Sequence, residues 1–128
     1  MITEDYISFE AAKLLKEKGF DEDVLAVYIY DNLFVKGENK IVNTANVPII
    51  PAPTLQMAMK WLREVHNIFI AIDVVPHVTV TMEQKYYFFK LYKDRRPCKS
   101  PLNDSVRLYY SYEEACEAAM KYCLEHLI

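Results

Sequence analysis

A chain of 128 residues with 52% hydrophobic content has the size and composition of one globular domain, without the length for a second core. Its formal net charge of −3 argues against a protein whose main work is neutralising nucleic-acid phosphates. Two glycines, three cysteines with no CxxC pair and no apolar run near about 18 residues exclude a glycine-rich phosphate cradle, a disulfide scaffold and a membrane-spanning helix, so a reducing, cytoplasmic setting is expected.

The first predicted element is a helix in "ISFEAAKLLKEKGF". Ser8 has N-cap chemistry, and Phe9, Ala12 and Leu15, with Leu14 beside them, supply the apolar side. Gly19 suits the left-handed residue that closes a helix, which lets Phe20 fold back onto Leu15. "VLAVYIY" (Val24 to Tyr30) is apolar on both faces and predicts a strand covered on each side. Asp31-Asn32 predicts a tight reversal into "LFVK", closed by Gly37. From Gly37 to Pro53 the prolines at 48, 51 and 53 predict a loop or an edge segment.

Thr54 then caps a second helix, with Leu55, Ala58, Leu62 and Val65 as its buried stripe, Trp61 beside the stripe in or at the edge of the core, and Met59 on the exposed side. Asn67 is placed to end it in a left-handed conformation. The period then switches to two in "IFIAIDVV", with Ile68, Ile70, Ile72 and Val74 on one face and Asp73 facing solvent. A reversal at Pro76-His77, a strand in "VTVTM" and a turn at Glu83-Gln84 lead to "KYYFFKLY", which sets Tyr87, Phe89 and Leu91 on one side. The basic "KDRRPCKSPLND" is a loop in which Cys98 is an exposed thiol, and "VRLYY" is the last strand.

In "SYEEACEAAMKYCLEHLI", Ser111 and Glu114 form a capping box. Ala115, Ala119, Cys123 and Leu127 repeat at helical spacing, widened by Tyr112, Cys116 and Met120, and their small side chains let the helix lie close to a sheet. The predicted architecture is a single α+β domain over residues 1–128, ordered α1-β-β-α2-β-β-β-α3, with a mostly antiparallel sheet and the helices on one of its faces.

No residue pattern assigns a reaction. There is no HExxH, and His66, His77 and His126 lack ligand spacing, so neither a metal nor a cofactor is expected and no catalytic residue is assigned. The surface that stands out is aromatic and basic. Tyr86, Phe88, Lys90 and Tyr92 are expected on one sheet face with Arg107 and Tyr109, flanked by Arg95 and Arg96. Between Lys85 and Arg107 seven basic residues meet two acidic ones, which leaves the remainder of the chain strongly acidic. Such a face fits three uses. The preferred one is protein–protein docking or assembly, with a homodimer expected. The alternative is a nucleic-acid accessory protein binding through residues 85–109, and an enzyme with an unrecognised site comes last.

The stretches "YISFEAAKLLKEKGF", "KWLREVHNIFI" and "SYEEACEAAMKYCLEHLI", about a third of the chain, resemble a family of short uncharacterised proteins from gut bacteria and their phages or mobile elements. The resemblance implies a small α+β domain encoded near mobile DNA, with no activity assigned. It carries over no catalytic residue, because the shared positions are caps and helix faces.

Overall fold

The computed structural model describes residues 1–36, 47–75, 86–98 and 108–128. Three helices pack with two small antiparallel sheets in one α+β arrangement. The first helix, α1 (Phe9–Glu17), starts at Ser8, whose hydroxyl accepts the Ala11 N–H at 3.1 Å. It ends at Gly19, where φ is +96°, a value that glycine adopts without strain. The Phe20 N–H returns to the Leu15 carbonyl, and both side chains are buried.

Strand β1 (Ala26–Ile29) is the centre of the first sheet, between β2 (Asn32–Val35) and β3 (Ile49–Pro51). The hairpin turns at Tyr30-Asp31, one residue earlier than Asp31-Asn32, because Ile29 pairs with Asn32 and Tyr30 takes the positive φ of 56°. Strand β1 also begins two residues later than expected, and Leu25 lies exposed before it. The proline-marked segment resolves into the edge strand β3, since an edge is where a proline's missing N–H is tolerated.

Helix α2 (Leu55–His66) is capped by Thr54, whose hydroxyl accepts the Met57 N–H, and is closed by Asn67 at φ 53°, ψ 39°. Its buried stripe is Leu55, Ala58, Met59 and Leu62, so the helix is turned relative to the expected one. Met59 is 4% exposed and Val65 56%, the reverse of the expectation. The face that runs through Met59 and Leu62 leads on to His66, which leaves Val65 on the flank. Trp61, also on the flank, is long enough to reach the core and is buried.

The second sheet has the order β4 (Ile68–Val74), β5 (Tyr87–Lys93), β6 (Arg96–Pro97). The two sheets stand where one was expected. The basic loop begins as a tight hairpin, with Asp94 and Arg95 both at positive φ and Lys93 paired to Arg96. Cys98 is half-buried rather than exposed, since its N–H is held by the Leu91 carbonyl and its side chain packs on the core. The turn at Pro76-His77, the "VTVTM" strand, Gly37 and the Glu83-Gln84 turn lie outside the described residues.

Helix α3 (Tyr112–His126) packs on β4 and β5, and also touches α1 and α2. Ala115, Cys116, Ala119 and Cys123 are fully buried, and their small size brings the helix close to the sheet, while Met120 and Leu124 fill the gaps. Burying each of those two larger side chains is worth about 1.5–3 kcal/mol. Only half of the capping box forms. Ser111 accepts the Glu114 N–H at 3.1 Å, whereas the Glu114 carboxylate accepts from the Tyr110 N–H and not from Ser111. No helix among the described residues is long and apolar enough to cross a membrane.

Candidate functional site

Strand alternation decides what the second sheet shows on each side. Directly opposed residues of an antiparallel pair share a face, so Ile70 with Leu91 and Ile72 with Phe89 point inward to the helices. Phe69 with Tyr92, Ala71 with Lys90 and Asp73 with Phe88 point outward. Among the described residues no helix covers this outer side. Phe69 is 42% exposed, Phe88 and Tyr92 are half-buried, and the Lys90 ammonium lies 5.8 Å from the Phe88 ring centroid.

The structure thus brings together Phe88, Lys90 and Tyr92, with Tyr86 just beyond the strand and in ring contact with Tyr110 at 5.6 Å. It separates the others. Tyr109 pairs with Tyr87 and stacks on Phe89 at 5.9 Å, which puts it on the inner face. Arg95 and Arg96 sit exposed at the β5–β6 turn, about 20 Å along the strand from Tyr86. Arg107 lies outside the described residues. Phe69 and Ala71 were missed by sequence reasoning. The signal was present, since they hold the out-of-phase positions of "IFIAIDVV", but nothing in the sequence says that β4 and β5 are neighbours in this register.

A second feature is a cleft of about 760 Å3 between the segment before α1, the β1–β2 hairpin and α3. Its floor includes Tyr28, Leu33 and Leu55, and its wall carries Glu4, Asp5, Glu113, Glu114 and Glu117 against one ammonium among the described residues, Lys121. At the centre Ser8 donates its hydroxyl proton to Glu117 Oε1, and the Ser8 N–H points at the same carboxylate. The Tyr28 hydroxyl donates to the Ile7 carbonyl at 2.7 Å, and burial, with the nearby Glu117 charge, pushes its pKa up. At the rim Lys121 meets Glu10 at 2.7 Å, which lowers the Glu10 pKa and raises that of Lys121.

No family model, curated protein or solved structure matches the chain.

The chemistry of the cleft therefore rests on its own atoms. Ser8 Oγ is committed twice, as an acceptor at the α1 N-cap and as a donor to Glu117, and no histidine among the described residues lines the cleft. The pair acts as a clamp between α1 and α3. Glu117→Ala is expected to cost about 1–3 kcal/mol by stranding the Ser8 donors, and Ser8→Ala about 0.5–2 kcal/mol through the lost cap. The double variant should fall short of the sum, as urea unfolding of all four proteins would measure.

Elsewhere, His66 packs edge-on against Trp61 at 4.8 Å, and its Nε2 is buried without a hydrogen-bond partner among the described residues. No group of three His, Cys, Asp or Glu side chains among the described residues is arranged to hold a metal ion. All three cysteines are free thiols.

Proposed function

We propose that the protein is a non-enzymatic assembly module that pairs with a second copy of itself through the outer face of the β4–β6 sheet. One observation carries the reading. The Phe69–Tyr92 cross-strand pair and the Phe88 ring lie on the side of the sheet opposite the helices, exposed or half-exposed, where a second sheet face would bury them. Two strands about 20 Å long offer a few hundred Å2, against roughly 800 Å2 per partner in a stable interface, so the pairing is weak and reversible. The odd set of three unpaired thiols supports a cytoplasmic setting. Such a module would suit the accessory proteins of phages and mobile elements, in keeping with the resemblance of its helices to that family.

Sedimentation over a wide concentration range tests this. The parent protein should move from monomer towards dimer as concentration rises, and Phe69→Glu should stay monomeric, because a buried unpaired carboxylate costs more than the face gains. A parent that remains monomeric throughout sinks the reading.

A second reading draws on Lys90 beside the Phe88 ring, a pairing that also suits stacked bases and a phosphate. Under it, single-stranded DNA binds at low salt, and Lys90→Ala and Phe88→Ala each weaken that binding. The nearby Asp73 and the acidic net charge favour the first reading.

A further inference from the structure

Helix α2 carries a surface that its core stripe does not explain. Met57, Trp61 and Val65 follow one another at four-residue spacing on its outer flank, and Met57 and Val65 are exposed. With Phe20 they wall a pocket of about 350 Å3 between α2 and the turn after α1. Trp61 is held in place there, edge-on to Phe20 at 5.5 Å and to His66 at 4.8 Å. Glu22, Asp23 and Glu64 also line the pocket, with Lys60 as the single cation of the lining among the described residues.

Neither hydrogen bonds nor ion pairs engage those three carboxylates among the described residues. Nor are they grouped closely enough to hold a metal ion. Separated acceptors beside the exposed Met57 thioether, with Trp61 and Phe20 buried behind it, match a different cation. A guanidinium is planar and weakly hydrated, presents five N–H donors spread over its edge, and carries an apolar stem that packs on such a surface. The exposed Met57 and Val65 then call for apolar side chains next to that arginine.

We propose that this pocket receives an arginine side chain from a separate protein partner, with the flanking apolar residues of the partner covering Met57 and Val65. The surplus of negative charge is complementary to such a segment and disfavours phosphate-bearing ligands. The pocket is built by α2 and the turn after α1, apart from the β4–β6 face, so it stands whether or not that face self-associates.

Trp61 is the only tryptophan of the chain, so its emission reports directly on the pocket. The test titrates the intact protein with a blocked Leu-Arg-Leu peptide and with its Leu-norleucine-Leu counterpart. A saturable change is expected with the arginine peptide, at least about tenfold tighter than with the uncharged one. Glu64→Gln and Asp23→Asn should each weaken it severalfold, Lys60→Ala should tighten it, and added salt should weaken it. Far-UV circular dichroism confirms that these variants stay folded. Equal responses to both peptides, no saturation with arginine, or indifference to the charge variants would overturn the proposal. So would a concentration-dependent change without peptide that Arg95→Ala with Arg96→Ala removes, since that assigns the pocket to a second copy.

Discussion

Alkaline solution is expected to unfold the protein, with stability beginning to fall near pH 9. Burial holds the Cys116 thiol up at about 11 and the Cys123 thiol at about 12, against an ordinary thiol value of 9.0. A raised pKa means that the folded state keeps its proton where the unfolded chain has released it. The associated stability is complete below pH 9 and drains away as pH climbs from 9 towards 11 for Cys116 and 12 for Cys123. Over three pH units Cys123 alone accounts for about 4 kcal/mol, a large part of the stability of a small domain. Tyr28, also raised, adds to the loss above pH 10.0. Urea midpoints measured between pH 7 and 11 should fall steeply for the parent and more gently for Cys123→Ala. A parent midpoint that stays flat to pH 11 would show that these thiols ionise without penalty and are not enclosed.

The second large effect separates two methionines two positions apart. Met59→Ala should destabilise by about 2–5 kcal/mol, because it opens a hole among Leu55, Leu62 and their neighbours, whereas Met57→Ala should stay within about 0.5 kcal/mol. Thermal or urea unfolding reads both. Equal costs would mean that α2 is rotated from the orientation described above.

Helix punctuation was the most legible part of the sequence. Ser8, Thr54, Ser111 and Asn67 each take the capping role that their chemistry suggested, since a cap depends on a few neighbouring atoms and little else. Rotation of α2 was harder to read. Leu, Met, Trp and Val recur around much of its circumference, so periodicity admits more than one buried stripe, and the choice is made by what α2 packs against. The split into two sheets and the pairing of β3 with β1 depend on contacts between residues far apart in sequence, where the prolines left a loop and an edge segment equally open.

The candidate surface was legible along β5 alone. Alternation placed Phe88, Lys90 and Tyr92 together, but Tyr109 turned out on the other face because its partner is Tyr87 and not an even-numbered neighbour. Phe69 came from β4, which only the register could reveal. The α2 pocket was invisible at that level, because it joins Phe20 and the acidic turn after α1 to a helix more than thirty residues away.

The clamp joining Ser8 to Glu117 bears on how the molecule is made. These partners are 109 positions apart in the chain, and the neighbouring Glu10–Lys121 pair spans 111. At about 5–20 residues per second a ribosome needs several seconds to tens of seconds to supply the second half of each contact. During that interval the first helix can lean on β3 and, through Phe9, on Tyr28 of β1, while the flank that α3 covers stays open in the nascent chain. Birth of this protein is therefore a waiting game, in which the flank of α1 around Ser8 and Glu10 stays open until the late helix emerges.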